Sequence, residues 1–403
     1  MQAAHKLHIA LTERGLDSEM IVLEKKTDNP KVTSVKQTVT GFSKVRTKLN
    51  RELSNFRIRR YRSKERNRQG YFSQGRGAYG AALVKALPDA DVFNLHWSDS
   101  LIDYIPLFRK LGGSTPIVWR MADMNAMTGG CHYSNDCERF VRQCGYCPQL
   151  DKPSEFDLSY QILTRKERAF NFLKPEQFHP VAPSVWLKKE AERSHLLQRF
   201  DTKLIPTGVD VRKFTPIPKT LARKKLGVPL DQKVILFMSD DTRDPRKGFD
   251  LLQAALAQLS NPSQVTLLAV GAGDPKEGVI HLGKLEGPEL LCQAYSSADL
   301  FVLPTRADNL PNVVLEAMAC KVPVVSFDVG GMPDVVRPEI TGFLAPPEDT
   351  ERLAQLIDTV LGNNSLRESM SEECRKLMVE EFSSDRQAGE YISLYESLCA
   401  RNF

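Results

Sequence analysis

No apolar run in this 403-residue chain approaches the ~20 residues that cross a bilayer as a helix. No secretory leader opens it either, so the expected compartment is the cytoplasm, including the inner face of the plasma membrane. Cysteine is scarce. Of eight, four crowd between Cys131 and Cys147, while Cys292, Cys320, Cys374 and Cys399 are scattered. That usage excludes a secreted disulfide scaffold in a chain this long, and the scattered four read as packing thiols. An opening strand is also missing. Residues 2–14 have helical spacing through Ala4, Leu7 and Leu11, Gly15 stops the helix, and Glu19 to Leu23 reads as a strand. A doubly wound domain should begin with a strand and a glycine-rich turn, so the expectation is that Met1 is a late start or that this piece is absent.

The length exceeds one ordinary core and implies two domains. With 41% apolar and 26% charged residues the composition is that of a globular protein. The net charge of +5 is unevenly spread. Residues 31–70 hold thirteen Lys or Arg against Glu52 and Glu65, a local balance of +11, so the remainder is acidic by six. Such a basic insertion is either a solvated face or a surface for anionic lipid or a polyprenyl-diphosphate acceptor. Nucleic acid is the weakest reading, because RIRRYRSKERNR has one aromatic and no stacking platform.

Further on, short apolar runs alternate with helical patterns. Asp91 to Leu95 is a strand delivering His96 and Trp97 at its C-terminal end, where open α/β sheets place functional groups. A strand at Pro116 to Trp119 leads into RMADMNAMTGGCHY, a helix spans Asp157 to Phe172, and Ser184 caps another. The alternation restarts with Val234 to Met238, followed by Arg243, Arg246 and the Lys247-Gly248 pair before a helix. An Arg-Lys pair at a helix start opposes the dipole unless an anion lies nearby. Leu300 to Met318 is the stretch the chain is organised around: a buried strand, a polar turn, then an apolar helix opening at Pro311. Glu316 is the one charge inside that helix and needs something to bind it. Asp308 lies in the loop that feeds the helix N-terminus, where unpaired N–H groups favour an anion such as a diphosphate.

Cys131, Cys137, Cys144 and Cys147 leave three readings open: a structural zinc site, two disulfides, or unligated thiols. The CGYC pair has knuckle spacing, and reducing conditions disfavour disulfides. Four protein ligands would leave no open position, so any metal there would be structural.

The stretch from Leu300 to Met318, with VPVVSFDVGGMPDVV behind it, resembles the retaining glycosyltransferases of family four. Their signature is two acids separated by seven residues, here Asp308 and Glu316. Residues 119–150 resemble a branch of that family with a tract of the form WxxxDMxxxTGGCHYxxxC…CGxCPQL, matched through Asp123, Thr128, Gly129, Gly130, Cys131 and His132. The wider family often has a histidine before that aspartate. This chain has Ala122, which leaves His96 and His132, with Asp123, as candidates near the reaction centre.

The resemblance implies an α/β protein of the GT-B fold, two Rossmann-like doubly wound domains facing across a cleft. Residues 1–212 would form the acceptor-side domain, 213–384 the donor domain, and 385–403 a helix crossing back. It implies a UDP- or GDP-sugar donor and a glycan or polyprenyl-diphosphate-linked acceptor in cell-surface polysaccharide synthesis, with no metal needed for the chemistry. Glu316 would hold the ribose hydroxyls, and Asp308 and Asn309 the sugar. Lys247 with Arg243 or Arg246 would hold the diphosphate, and Leu310, Gly330 and Gly331 would complete the donor pocket. Three alternatives remain open. They are a GT-B epimerase or phosphorylase, a catalytically silent sugar-nucleotide-binding subunit, and a membrane- or RNA-associated adaptor acting through the basic insertion.

Overall fold

Valine- and leucine-rich runs of three to nine residues alternate with helices along most of the chain, a pattern that buries strands on both faces of parallel sheets. The computed structural model describes residues 2–63, 70–97, 101–113, 115–274 and 276–400. The chain divides into two units. One holds residues up to Ile205 together with those from Ala388 onward, and the other runs from Pro206 to Gln387.

In the first unit, strands Phe93–Leu95, Ile117–Arg120, Phe178–Ala182 and Lys203–Leu204 form a parallel sheet in that order. Met20–Val22 and Val32–Ser34 make a separate parallel pair. Helix Gln2–Glu13 buries Leu7, Ala10 and Leu11 against Val118 and Val181 of the sheet and against Ala388, Tyr391, Leu394 and Leu398. Another cluster is aromatic, with Phe108, Trp119, Phe170 and Phe178 in edge-on and stacked contacts, Phe108 and Phe170 lying 5.3 Å apart. Residues 31–90 show weak periodicity in sequence beyond the basic tract, and within that tract Gly41–Tyr61 is a helix of 21 residues. Most of its surface is exposed, so no buried stripe marks it. Residues 64–69 of the basic tract lie outside the described residues.

The second unit is a six-stranded, wholly parallel sheet. Its order is Gly342–Ala345, Val324–Phe327, Leu300–Leu303, Lys233–Asp241, Val265–Ala272, Val279–His281. Chain order reverses between Lys233–Asp241 and Leu300–Leu303, so the loops leaving these adjacent strands meet at a switch point, where such sheets bind ligands. The unit begins at Pro206, ahead of the expected 213, because the 206–214 segment is tied into it. Val209 exchanges backbone hydrogen bonds with Phe382 and Ser384 (2.8 and 2.9 Å), and the Arg375 guanidinium donates to the carbonyls of Val211 and Phe214. Among the described residues no helix is long and apolar enough to cross a membrane.

Candidate functional site

The second unit gathers its site from three loops. After strand Lys233–Asp241, the Asp244 carboxylate caps a short turn, Pro245–Lys247, by accepting from the Arg246 N–H at 3.0 Å. Gly248 then adopts φ +72°, and a Cβ there would collide with the Pro304 carbonyl. The Arg246 carbonyl accepts from the Thr305 hydroxyl (2.9 Å) and the Arg306 N–H (2.8 Å), which zips this turn to the loop after Leu300–Leu303. Arg246 and Lys247 thereby both reach Asp308, and Arg246 Nη2 also pairs with Asp244 Oδ2 at 3.3 Å. Arg246 Nη1 donates to Asp308 Oδ2 at 3.1 Å and to the Ala307 carbonyl at 2.8 Å, and Lys247 Nζ pairs with the same Oδ2. Gly330 supplies the third loop. At φ +55° it lies so close to the Asp308 carbonyl that a Cβ would overlap it, and the Gly331 N–H approaches that oxygen at 3.4 Å.

Burial of Asp308 favours the protonated acid, but the two cations outweigh it and hold the carboxyl below its ordinary range. The result is a partly buried cluster in which two cations share Asp308, and Arg246 Nη2 also pairs with Asp244 at 3.3 Å. Arg243 is not part of it. Its guanidinium is exposed and forms a two-pronged pair with Asp241 at 2.9 Å, so the second cation is Arg246. Asn309 and Leu310 are buried beside Asp308, the Asn309 N–H reaching Asp308 Oδ1 at 3.1 Å.

The helix after this loop is Asn312–Ala319, with Pro311 at its N-cap, one residue before the expected helical position. No side chain caps that end, so its first N–H groups carry the positive end of the dipole. Glu316 is buried, and Tyr295 donates its hydroxyl to Glu316 Oε2 at 3.1 Å. Burial, with the Glu316 charge beside it, drives the Tyr295 phenol well above its usual pKa, so it stays a donor. Tyr295, 21 positions before Glu316, carried no sequence signal; only the packing of helix Pro288–Ser297 on the sheet brings it there.

The first unit has its own constellation. His96, Trp97, Tyr104, Trp119, Met121, Ala122, Asp123, Asn125, Ala126 and His132 line a small recess at the strand ends. Asp123 caps the Met124–Ala126 turn through the Asn125 N–H (2.8 Å), and its other oxygen meets His132 Nδ1 at 2.7 Å. His132 Nε2 faces the Ser73 hydroxyl at 2.7 Å. Ser73 was not foreseen, since 59 residues separate it from His132. The buried Lys166 ammonium donates to the Asn125 and Thr128 carbonyls and so fixes the turn from below. His96 takes no part in this chain. Its Nδ1 is sealed and, among the described residues, has no hydrogen-bond partner; burial, with Arg120 adding to it, lowers its pKa to about 3. Tyr71 and Trp97, both exposed, stand 5.9 and 6.2 Å from the His132 ring and form an aromatic rim.

Cys131, Cys137, Cys144 and Cys147 are free thiols, and among the described residues no group of three or more His, Cys, Asp or Glu side chains is arranged to hold a metal. Burial pushes the Cys131 thiol up, Cys144 to about 12 and Cys147 to about 11, with neighbouring thiols adding to each. Cys144 accepts the Gly129 N–H at 3.2 Å, which ties it to the TGGC turn.

Residues 232–363 match the model of the family described as Glycosyl transferases group 1. A GDP-mannose-dependent monoacylated alpha-(1-6)-phosphatidylinositol monomannoside mannosyltransferase of Corynebacterium glutamicum is 34% identical over 188 residues, 41% of this chain and 48% of that protein. The chain spans about half the length of such curated relatives. A sucrose-phosphate synthase from Thermosynechococcus elongatus superposes at a TM-score of 0.69 and 20% identity, over 99% of this chain and 93% of its own. HepE of Anabaena, solved with UDP and glucose, does so at 0.60 and 20% identity, over 79% of this chain and 81% of its own. The fold is GT-B.

Proposed function

We propose that this chain transfers a glycosyl group from a nucleotide-sugar donor to a glycan or lipid-linked acceptor, with retention at the anomeric carbon, in cell-surface polysaccharide assembly. The observation that carries the reading is the convergence of Arg246 and Lys247 on Asp308 at the switch point of the parallel sheet. Two partly buried cations beside an uncapped helix N-terminus suit a diphosphate, which would take over contacts these cations now make to Asp308 and Asp244. In this reading the diphosphate lies on Arg246, Lys247 and the first amides of Asn312–Ala319. Glu316, oriented by Tyr295, accepts from the ribose hydroxyls. Asp308 and Asn309 face the sugar, and Gly330 and Gly331 let backbone approach it.

In the transfer the bond from the anomeric carbon to the diphosphate oxygen breaks, and a bond to the acceptor oxygen forms on the same face. The acceptor proton passes to the leaving phosphate. Lys247, Arg246 and the helix dipole offset the charge that develops there, and no protein nucleophile is assigned. The acceptor is assigned to the first unit's recess, where His96 and the Asp123–His132 pair line a pocket rimmed by Tyr71 and Trp97. The relatives leave the base open: HepE was solved with UDP, and the mannosyltransferase is named for GDP-mannose.

Titration with UDP, GDP and their sugars, followed by product analysis with and without acceptor, tests this. Nucleotide binding should fall on Lys247→Ala, turnover on Glu316→Ala, and the product's anomeric NMR coupling should match the donor's. Unchanged turnover in Glu316→Ala would overturn the reading, while a product formed without acceptor would indicate an epimerase. One observation favours a silent binding subunit. Ala122 stands in the recess, and both His132 ring nitrogens are engaged by Asp123 and Ser73. Tight nucleotide binding without donor hydrolysis or transfer would select it.

A further inference from the structure

Helix Gly41–Tyr61 is held to its unit by one narrow face. Thr47, Ser54, Ile58 and Tyr61 are its half-buried positions there. The Ser54 carbonyl accepts from Gln74 at 2.7 Å, Arg57 donates to Gln161 at 3.0 Å, and the Tyr61 carbonyl accepts from the Asp151 N–H at 2.9 Å. The opposite face carries Val45, Leu49, Leu53 and Phe56, which are 67%, 59%, 53% and 63% exposed. At 100° per residue these four fall within about 80° of arc. Apolar side chains aligned and left in water are not explained by the fold. Exposed cations lie at the stripe: Lys48 and Arg59 flank one edge, Arg46 flanks the other and Arg60 falls within its arc, with Glu52 the one acid beside it.

We propose that this face is a docking surface for an anionic lipid bilayer. A membrane surface offers what the helix presents, an apolar boundary under a layer of phosphate charge. The four apolar side chains enter the acyl boundary while the bordering cations meet headgroup phosphates. A second copy fits poorly, because pairing two stripes would bring Lys and Arg edges against one another. RNA fits poorly because Phe56 is the stripe's one aromatic and offers no run of stacking surfaces. The inference is independent of the donor chemistry assigned to the second unit.

Flotation of the full chain with phosphatidylcholine vesicles, with and without phosphatidylglycerol, tests it. Binding should need the anionic lipid and weaken with salt. Lys48→Gln and Arg59→Gln should each lower partitioning about fivefold, and Phe56→Ser about tenfold. In a Phe56→Trp variant, tryptophan emission should shift to the blue on anionic vesicles, which separates insertion from mere electrostatic contact. Circular dichroism and nucleotide binding, both read on the same variants, should be unchanged. Several results would overturn the proposal. They are equal binding to neutral vesicles, no loss in Phe56→Ser, no blue shift, self-association abolished by the stripe substitutions, or RNA retention in place of vesicle binding. Loss of nucleotide binding with vesicle binding intact would count against the glycosyl-transfer reading alone.

Discussion

Two arginines three positions apart have opposite fates, and the difference is set by which carboxylate each can reach. Arg243 closes a ring with Asp241 in solvent, while Arg246 and Lys247 turn inward to Asp308. Arg243→Ala should therefore leave nucleotide affinity unchanged within error. Arg246→Ala or Lys247→Ala should weaken it by about 1–3 kcal/mol, as expected when a charge-assisted contact in a partly buried cluster is removed. Calorimetric titration with UDP and GDP checks this. His96 supplies a test with a sign. Its folded pKa is about 3, whereas an unfolded histidine titrates near 6.5. Below pH 6.5 the unfolded chain takes up a proton that the folded chain refuses, so this contribution is lost as pH falls from 6.5 toward 3. His96→Gln should flatten urea-unfolding stability between pH 6.5 and 5 by about 1–2 kcal/mol. An unchanged slope would mean that the ring is not sealed as described.

The elements of the site are held by backbone that tolerates no side chain. Gly330 lies against the Asp308 carbonyl in the left-handed region, so Gly330→Ala must both strain its own backbone and push the Asp308 loop. We expect a loss of about 1–3 kcal/mol in stability and a matching fall in nucleotide affinity, read by thermal melts with and without UDP. Full stability together with full affinity in that variant would show that the loop is not pinned there. In the first unit, the Lys166 ammonium under the Asn125 and Thr128 carbonyls does similar work for the Asp123–His132 turn, but through charge.

At the scale of the whole molecule, each unit has its own core. The second unit's is built on a six-stranded sheet, and the first unit's includes an aromatic cluster and the packing of helix Gln2–Glu13 against Ala388, Tyr391, Leu394 and Leu398. Separate cores predict two calorimetric transitions. UDP or GDP should raise only the one belonging to the second unit, by about 2.7 kcal/mol at a hundredfold excess over Kd. Hydrogen exchange assigns the transitions; protection spread equally over both units would contradict the donor assignment.

What depends on local order was legible in the chain: the alternation of strands and helices, the buried helix carrying Glu316, and the place of Asp308 in the loop before that helix. These are legible because burial leaves continuous apolar runs and because glycine marks positions such as 248 and 330 that a side chain cannot occupy. Tertiary structure decided what depends on distance. It turned Arg246 rather than Arg243 toward Asp308, brought Tyr295 to Glu316 and Ser73 to His132, and drew residues 206–212 into the second unit. In each case the partner comes from a turn geometry or another element, and spacing along the chain does not encode which groups packing will bring into contact.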